Sequence, residues 1–420
     1  MLHLFFLCRS GFYSIFLFFF ICRCWADLAQ DTIYLTWQQS PSTTMTIQWI
    51  SLDQDKQSDV IYRLQNHSEW LKTRGESYPF PQSPQHLIHS VELMDLQPDR
   101  EYVFKVLPYQ EEYQFQTAPL QLNQELQFVV GGDMYHDGIQ LLAKTCRKAA
   151  ETNPRFALIG GDIAYAVKSL PLSFQNNRRW IEWIKVWHAT MVTPQGNLIP
   201  VVAAIGNHDL IGQYGQTPSQ ALVFSSLFPM PGKQIYNVLD FNSYLSVFLL
   251  DSGHANPIAG QQTKWLRTVL EERRNIPHQF AIYHVPAYPS VRHFLNKQSA
   301  AIRHSWVPLF EKEGIQVVFE HHDHAYKRTY PLLKNRIHPQ GIVYLGDGGW
   351  GVEKPRMLRT KRPYLAKFAP VRHFIAVTLT PSQQNFKCLD DQGHIIDEYT
   401  RPLNVKSSTT ENLLEAVNNK

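Results

Sequence analysis

The stretch LQFVVGGD at residues 126–133 joins an almost continuous apolar run to a glycine turn that ends on a carboxylate. Four later stretches repeat this design, with an apolar run that stops on a side chain able to bind a metal ion. They are FALIGGDIAY (156–165), VVAAIGNHD (201–209), FAIYH (280–284) and IQVVFEHHDH (315–324). Such runs are typical of buried strands, and open α/β proteins place their sites at strand tips on one edge of a sheet. The five strand ends therefore predict a metal site.

The strand ends offer two carboxylates, one phenol, one amide and three imidazoles, which is enough for two metal ions. These candidate ligands are Asp133, Asp162, Tyr165, Asn207, His284, His322 and His324. Two cations about 3.5–4 Å apart repel each other and need a bridging anion. Asp162 is the natural bridge because the glycines before it allow a sharp turn. His322 and His324 are two positions apart, so an extended segment would direct both to one side. The set indicates a binuclear metallohydrolase.

Length and composition predict a two-domain globular protein. The 420 residues have room for a substantial core, and the contents of 44% hydrophobic and 13% aromatic residues are ordinary for a folded chain. The net charge of +4 is small for this length, and no long run of Lys and Arg follows a phosphate backbone. We therefore expect no nucleic acid partner.

Residues 1–26 predict a targeting segment. Arg9 precedes the apolar run SIFLFFFI (14–21), and small residues follow near Ala26, as at a signal-peptidase site. The run is short for a membrane-spanning helix, which needs about 20 residues. We expect export with cleavage, to the periplasm, the cell exterior or the secretory pathway. Retention as a membrane anchor is the alternative, and only then would a stable membrane partner follow.

The cysteines do not form a disulfide scaffold. Three of the five lie in the targeting segment, so the mature chain would hold only Cys146 and Cys388. We expect two separate buried thiols, although the sequence leaves a disulfide between them open. Neither has partners at a spacing typical of a metal site.

The segment 27–119 predicts an all-β domain. Short stretches alternate apolar and polar residues between breaks rich in Pro, Ser, Asp and Gln. They are TIYLTW (32–37), TMTIQWI (44–50), DVIYRL (59–64), HLIHSVEL (86–93), EYVFKVL (101–107) and YQFQTA (113–118). Six or seven such strands suggest an immunoglobulin or fibronectin III type of sandwich. The stretch LQPDREYVFKVLP (96–108) resembles the tyrosine-bearing strand of fibronectin III domains. No cluster of reactive side chains occurs here, so we expect a supporting or docking role.

Strands and helices alternate over residues 120–400, which predicts a sheet covered on both faces by helices. The predicted helices are 137–151, with Asp137 as the N-cap, 177–191, 261–274 and 299–313. Later strands at 244–250, 341–345 and 373–379 predict a second sheet. The Trp-rich stretch WIEWIKVW (180–187) is expected to pack its rings into the core. Residues 401–420 are predicted to be a flexible tail.

The motifs GGDMY, GGDIAY, GNHD, YHVPAY and EHHDHAYKR resemble the five blocks of the calcineurin-like metallophosphoesterases, and among these the purple acid phosphatases. The first block has Tyr135 where the superfamily usually has His, and the second block gains Tyr165. This exchange is the one that marks purple acid phosphatases. The resemblance covers about residues 30 to 400 and is strongest for plant-type members. It implies an α/β fold, a four-layer α-β-β-α sandwich preceded by a fibronectin III-like domain.

The resemblance also implies which residues hold each metal. The first metal would be held by Asp133, Asp162, Tyr165 and His324, and the second by Asp162, Asn207, His284 and His322. A phenol has a pKa near ~10 and needs a hard trivalent ion to ionise at low pH, which indicates Fe(III) in the first site. Zn, Mn or Fe(II) would suit the second site.

The activity that the resemblance implies is hydrolysis of phosphomonoesters by a metal-bound hydroxide, as in an acid phosphatase. His208 matches a histidine that contacts substrate in the family, and His293 falls near another; either would protonate the leaving group or hold the phosphoryl oxygens. Asp209 is a candidate to orient His208. Small phosphorylated compounds are the expected substrates, and a homodimer is left open.

Other functions and roles stay open at this stage. A phosphodiesterase or nucleotide-cleaving enzyme on the same scaffold is the alternative, followed by a non-catalytic binding or adhesion protein. His321 stands where the family has Gly, so it is either a neighbour of the ligands or a sign that the register is shifted by one. The basic loop 354–367 either attracts anionic substrates or is simply solvated. We expect ordinary structural or exposed positions for Glu320, His136 and His254.

Overall fold

The computed structural model describes residues 28–52, 54–167, 175–231 and 234–403. The predicted targeting segment and the predicted C-terminal tail lie outside these residues, apart from the first three positions of the tail. Within the described ranges, no helix is long and apolar enough to cross a membrane.

Two four-stranded antiparallel sheets form the N-terminal part of the molecule. Their strands are β1 (Tyr34–Thr36), β2 (Met45–Leu52), β3 (Asp59–Leu64), β4 (Leu71–Arg74), β5 (Glu76–Pro79), β6 (His86–Leu93), β7 (Glu101–Val106) and β8 (Tyr113–Gln116). One sheet has the order β1-β2-β6-β5 and the other β4-β3-β7-β8. The prediction identified six of the eight strands. It missed β4 and β5 because both are short and their side chains are mostly exposed, so they show no apolar alternation.

Two larger sheets follow in the remainder of the chain. Their strands, with one separate hairpin, are β9 (Leu126–Gly131), β10 (Ala157–Gly160), β11 (Val201–Ala204), β12 (Asn237–Phe241), β13 (Leu245–Leu249), β14 (His278–Ile282), β15 (Val317–Glu320), β16 (Tyr326–Thr329), β17 (Leu332–Leu333), β18 (Arg336–Ile337), β19 (Val343–Gly346), β20 (Leu365–Ala369), β21 (His373–Thr380), β22 (Gln383–Asp390) and β23 (Ile395–Pro402). The first sheet has the order β11-β10-β9-β21-β22-β23 and the second β12-β13-β14-β15-β19-β16-β20, while β17 and β18 pair alone.

The α-helices lie near the predicted positions, with two differences. They are α1 (Ile139–Ala150), α2 (Asn177–Thr190), α3 (Leu222–Leu227), α4 (Gln261–Glu272), α5 (Lys297–Ser305) and α6 (Val307–Glu313). Asp137 is not an N-cap, because α1 is preceded by Gly138 and the Asp137 carboxylate accepts the N–H of Glu353 instead. The predicted helix 299–313 is two helices that meet at Trp306, where the following Pro308 lacks an N–H and begins a new helix.

Alternate side chains of the first sheet face different layers. Val129 and Ile159 pack in one core cluster with Trp183 of α2. Their neighbours in sequence, Val130 and Leu158, belong to a different cluster that also contains the second sheet. Because successive side chains of a strand point to opposite faces, helices cover one face of this sheet and the second sheet covers the other.

The second sheet repeats this arrangement. Ile282 and Phe319 lie in the cluster between the two sheets. Ala281 and Val318, one position earlier in each strand, pack with Phe310 of α6 in a third cluster. The four layers are therefore helix, sheet, sheet and helix, which confirms the predicted four-layer fold. Only the expectation that helices cover both faces of the first sheet is wrong, because the second sheet covers one of them.

The two sheets do not divide the strands as predicted. Strand β21 was expected in the second sheet with β13 and β19, but it pairs antiparallel with β9 in the first. The five strand ends that carry the candidate ligands are likewise divided between the sheets. Three follow β9, β10 and β11 in the first sheet, and two follow β14 and β15 in the second. The site therefore lies where two stacked sheets end, not on one sheet edge.

The N-terminal sheets pack directly on the larger domain. The ring of Trp37 lies 6.0 Å from that of Phe156 and 5.8 Å from that of Phe241. Tyr34 donates from its hydroxyl to the carbonyl oxygen of Leu227 at 2.8 Å. Strand β8 ends at Gln116 and β9 begins at Leu126, and the proposed domain boundary near residue 120 falls between them.

Two expectations about the core are confirmed. The three rings of the Trp-rich helix, those of Trp180, Trp183 and Trp187, are buried in one cluster against the first sheet. Cys146 and Cys388 are both buried free thiols. The larger domain is thus held by apolar packing on both faces of each sheet, and none of the described residues adds a disulfide.

Candidate metal centre

The turns after the strands have an unusual backbone. Five of the seven candidate ligands have a positive φ, namely Asp133 (56°), Asp162 (52°), Tyr165 (48°), His322 (80°) and His324 (61°). This left-handed region is uncommon for residues with a side chain and costs roughly 1–3 kcal/mol at each position. Such strain persists only where the surroundings determine the conformation, and its concentration in these turns indicates a functional site.

Two of these turns approach each other too closely for side chains between them. Gly161 has a φ of 89°, and a Cβ there would lie 2.5 Å from the backbone nitrogen of Gly206. A Cβ on Gly206 would in turn lie 2.3 Å from Oδ1 of Asp162. Both glycines are therefore needed to bring the Asp162 carboxylate against the turn that carries Asn207.

One group of candidate ligands converges around His284. Its Nε2 atom lies 3.2 Å from Oδ2 of Asp162 and 3.1 Å from Oδ1 of Asn207, while Nδ1 of His322 is 3.0 Å away. The ligand atoms of Asp162, His284 and His322 all lie within 4.8 Å of one another, so these three residues could hold a metal ion. Nδ1 of His284 lies 2.9 Å from the carbonyl oxygen of Gly160. Donation there orients the ring and leaves Nε2 for the metal.

A second group lies beside the first. Oδ1 of Asp133 accepts a hydrogen bond from the hydroxyl of Tyr165 at 2.7 Å and lies 2.9 Å from Nε2 of His324. The same Nε2 atom is 3.1 Å from the Tyr165 oxygen. The backbone N–H of His322 donates to Oδ2 of Asp133 at 2.9 Å and links the two groups. The structure thus brings all seven predicted ligands together.

The charges of the site suit a cation. Although burial opposes it, the charges of His284 and His208 hold the pKa of Asp162 well below its usual range, so this carboxylate is ionised. Against the effect of burial, Asp162 and Asp133 in turn raise the pKa of His284 to about 9, so a metal ion at its Nε2 atom would displace a proton. Burial, followed by Arg292, lowers the pKa of His322 well below the ordinary value, which leaves the neutral imidazole that a metal needs. Burial and the charge of Asp133 raise the pKa of Tyr165 well above its ordinary value. An ionised phenol at this position therefore requires a strongly charged cation.

Asp209 does not orient His208, contrary to the prediction. Its Oδ2 atom accepts the backbone N–H groups of Asp162 and Gly206, each at 2.8 Å, and its Oδ1 atom accepts that of Ile163 at 2.9 Å. The sequence showed a carboxylate next to a histidine, but the turn directs that carboxylate into the backbone. Asp209 therefore fixes the loops that carry the predicted bridging ligand.

The two predicted catalytic histidines differ in their surroundings. His208 is half-buried, and its ring stacks on that of Tyr165 with the ring centroids 4.6 Å apart. Its Nδ1 atom lies 2.8 Å from the carbonyl oxygen of Val167. Its backbone N–H donates to Oδ1 of Asp162 at 2.7 Å. None of the described residues is hydrogen-bonded to its Nε2 atom. His293 is exposed, and its Nδ1 atom accepts the N–H of Leu295 at 3.2 Å. A catalytic role for His293 stays a prediction.

Three residues near the candidate ligands were not among the predicted site residues. The hydroxyl of Tyr214 lies 3.3 Å from Oδ1 of Asn207 and 3.4 Å from Nε2 of His322. Arg292 and Arg356 both donate to the carbonyl oxygen of His322. Only Arg356 had a signal in the sequence, because it lies in the basic loop 354–367, whereas Tyr214 follows no motif.

His321 stands apart from the candidate ligands. Its side chain is buried, and a Cβ on Gly160 would lie 1.7 Å from its ring. Neither ring nitrogen has a hydrogen-bond partner among the described residues. Since His322 and His324 join the cluster, the alternative register shifted by one does not fit this geometry.

The remaining residues near the motifs have structural contacts. The hydroxyl of Tyr135 donates to Glu182 at 3.0 Å, away from the cluster. Glu320 is buried and accepts from the hydroxyl of Tyr283 at 2.8 Å. His254 is also buried, whereas the partly exposed His136 ring lies against two candidate ligands, 4.8 Å from Tyr165 and 4.6 Å from His324.

Two family descriptions match the sequence. The N-terminal domain of purple acid phosphatases matches residues 30–117, and the calcineurin-like phosphoesterases match residues 126–326. Together these matches span more than half of the chain. The first ends before β9, and the second contains all five strand ends of the candidate metal centre.

Several plant proteins are similar to the chain. Purple acid phosphatase 21 of Arabidopsis thaliana is 24% identical over 306 residues, which cover 70% of this chain and 65% of that protein. Purple acid phosphatase 18 of the same plant is 23% identical, covering 76% of this chain and 75% of that protein. For probable purple acid phosphatase 20, also of A. thaliana, the match is 26% identical and spans 60% of that protein. The chain thus spans less than two thirds of two of these relatives.

Solved structures share the fold. A purple acid phosphatase from yellow lupin (Lupinus luteus) seeds superposes with a TM-score of 0.72 at 16% identity, covering 88% of this chain and 73% of that one. PhoD superposes with a TM-score of 0.64 at 12% identity, covering 87% and 92%. The two family matches, the plant relatives and this fold agree: residues 30–117 match the N-terminal domain of purple acid phosphatases, and residues 126–326 match the calcineurin-like phosphoesterases.

Proposed function

We propose that the chain is an acid phosphatase that hydrolyses phosphomonoesters at a centre of two metal ions. The observation that carries this proposal is the convergence of seven oxygen and nitrogen donors from five strand ends into two adjoining groups. Two adjacent ions neutralise a phosphate and lower the pKa of water, which is the chemistry that such a centre supplies. The similarity to calcineurin-like phosphoesterases and to plant purple acid phosphatases supports the same activity.

Each group of donors would hold one ion. Asp133, Tyr165 and His324, with Asp162 as the bridge, would hold Fe(III), because a phenolate buried beside a carboxylate needs a trivalent partner. The other group would consist of Asp162 and three neutral donors, Asn207, His284 and His322. It would suit a divalent ion such as Zn, Mn or Fe(II).

The chain's own residues would position the phosphate and supply the proton. The Nδ1 atom of His208 is engaged with the Val167 carbonyl, so its Nε2 atom is left to contact a phosphoryl oxygen or the leaving group. We propose His293 as a second contact, carried on the exposed loop beside Arg292. The bridging carboxylate of Asp162 would be kept in place by the backbone N–H of His208.

The cellular setting is also a proposal. An exported enzyme acting on small phosphorylated compounds fits the targeting segment predicted at residues 1–26. The domain boundaries near residues 26, 119 and 400 are proposed with it, and the N-terminal domain would support the catalytic one through the contact around Trp37.

A comparison of substrates tests the activity. The purified protein should release phosphate from p-nitrophenyl phosphate at acid pH, and do so much faster than it cleaves bis(p-nitrophenyl) phosphate. Removal of metal by a chelator should abolish turnover, and addition of iron with zinc should restore it. Turnover of the diester alone would replace this proposal with a phosphodiesterase. A protein that binds metal but turns over neither substrate would favour a non-catalytic binding protein.

A further inference from the structure

Two arginines share one acceptor at the edge of the metal centre. The Nη2 atom of Arg292 donates to the carbonyl oxygen of His322 at 3.1 Å, and the Nη1 atom of Arg356 donates to the same oxygen at 3.3 Å. The two guanidinium groups come from distant loops and are held as neighbours by this carbonyl. Like charges held this close repel each other unless an anion lies between or beside them.

The acidic residues around the pair do not balance its charge. Nε of Arg292 lies 3.4 Å from Oδ1 of Asp323, but Oδ2 of that carboxylate already accepts the backbone N–H groups of Val291 and Arg292. No carboxylate among the described residues lies within 4.0 Å of the Arg356 guanidinium. One positive charge of the pair is therefore left without a direct partner.

The arginine pair touches both groups of candidate ligands. The backbone N–H of Arg356 donates to the carbonyl oxygen of His324 at 3.0 Å, on the side of the first metal. Arg292 reaches His322, on the side of the second, with its Nη2 atom 3.5 Å from Nδ1 of that ring. Arg362 steadies this loop by donating to the carbonyl oxygen of Arg292 at 2.8 Å. Both side chains are only half-buried, so a substrate can reach them.

We propose that Arg292 and Arg356 form an anion clamp that binds a second negatively charged group of the substrate, beside the phosphate that is hydrolysed. This inference rests on the proposed phosphatase function and deepens it. The preferred substrates are phosphomonoesters whose leaving group carries a carboxylate or another phosphate. Guanidinium groups suit both, because their planar donors pair with two oxygens at once.

A matched pair of substrates tests the clamp. Glycerol 3-phosphate and 3-phosphoglycerate differ in that the second has a carboxylate where the first has a neutral alcohol. Arg356→Met should raise the KM for 3-phosphoglycerate about 10-fold or more, since a charge-assisted contact is lost, and change that for glycerol 3-phosphate by less than about 2-fold. Arg359→Met, an exposed arginine of the same loop, should change neither value. An equal loss for both substrates in Arg356→Met, or no loss for either, would overturn the clamp.

Binding measurements separate this inference from the proposed function. If the wild-type protein hydrolyses neither these two substrates nor p-nitrophenyl phosphate, the phosphatase proposal fails. Calorimetric titration with 3-phosphoglycerate tests the clamp in either case, because it measures binding and not turnover. Binding by the wild type that is weakened about 10-fold or more in Arg356→Met supports the clamp. Equal binding by both proteins, or no binding by the wild type, contradicts it. The metal content and thermal midpoint of Arg356→Met should match the wild type, which excludes a folding defect.

Discussion

The two large sheets contribute different chemistry to one site. The turns after β9, β10 and β11 of the first sheet supply every oxygen donor, from carboxylate, phenol and amide groups. The turns after β14 and β15 of the second sheet supply every imidazole. Each of the two groups of candidate ligands takes donors from both sheets, so the candidate centre depends on the sheets stacking with their strand ends aligned.

Contacts across the two sheets hold this alignment. Nδ1 of His284, in the second sheet, bonds to the carbonyl oxygen of Gly160 in the first. The backbone N–H of His322 bonds to the Asp133 carboxylate. Between the sheets, the rings of Phe128 and Phe280 lie 5.9 Å apart. The apolar core between the sheets thus contributes to the candidate site, because it sets the position of the oxygen donors relative to the nitrogen donors.

The most severe way to break this arrangement is to remove the charge of Asp162, the proposed bridging carboxylate. Asp162→Asn keeps the shape but removes the anion that lies 3.2 Å from His284. We expect loss of metal and a fall in kcat of about 10³-fold or more, because several kcal/mol of charge stabilisation are lost. Metal analysis and phosphatase assays measure this. Asp99→Asn, at an exposed carboxylate, is the control, and an Asp162→Asn protein with full metal content would contradict the bridging role.

The second prediction concerns the packing between the two sheets and changes none of the candidate ligands. Phe280 is fully buried and packs against the rings of Phe128, Phe319 and Phe386 between the two sheets. Phe280→Ala should lower the free energy of unfolding by about 3–5 kcal/mol. It should also weaken metal binding, because the two donor sets lose their register. Phe280→Leu, which keeps more of the apolar volume, should cost less than the Ala variant, as measured by urea unfolding. Equal stability of the Ala variant and the wild type would show that the core does not hold the sheets together.

Most helices and strands of the fold could be predicted from the sequence, because buried strands and amphipathic helices have distinct apolar patterns. It did not say which strands pair. The stretch HFIAVTLT (373–380) has the same apolar pattern in either sheet, and only its hydrogen bonds to β9 place it in the first. The short strands β4 and β5 show no apolar alternation in the sequence, because most of their side chains face water.

The site was predictable in residue type but not in conformation. All seven candidate ligands follow apolar runs, and the family resemblance named them from sequence. The left-handed backbone at His322 is a property of the folded turn and has no sequence signal. Tyr214 and Arg292 could not be identified either, because both lie in irregular loops and contact His322, which is 108 and 30 positions away in the sequence.

The third prediction tests how the first sheet fixes its oxygen donors. Asp209→Asn replaces one carboxylate oxygen with an NH₂ group that cannot accept the N–H of Asp162, Ile163 or Gly206. We expect metal affinity to fall about 10- to 100-fold, the usual effect of losing a residue that orients a ligand. Asp251→Asn is the matched control, since that carboxylate also accepts backbone N–H groups in a turn after a strand but holds no candidate ligand. Equal effects of the two variants on metal affinity would overturn this role.

The smallest expected effect lies outside both large sheets, in the N-terminal domain. His89 is buried between the hydroxyls of Ser51 and Ser58 and stacks on Trp49, and burial lowers its pKa to about 4. In the unfolded chain the His89 ring has its ordinary pKa of ~6.5 and binds a proton more tightly than in the folded protein. The free energy of unfolding is therefore highest above that pH and falls as the pH drops towards 4.

Replacement of this histidine should flatten the pH dependence of stability. Between pH 7 and pH 5, His89 should account for a loss of about 2 kcal/mol in the free energy of unfolding of the wild type. His89→Gln should lack that part of the change, whereas His67→Gln, at an exposed position, should retain it. Urea midpoints at the two pH values measure the difference. An unchanged slope in His89→Gln would show that this buried ring does not titrate with unfolding.

The number of metal ions bound per chain tests the central claim most directly. We propose that two sheets jointly hold two ions, with Asp162 between the oxygen donors of one and the imidazoles of the other. Elemental analysis of the purified full-length protein should give two metal ions per chain, one of them iron. A single ion per chain, or none after purification with added iron and zinc, would contradict the account.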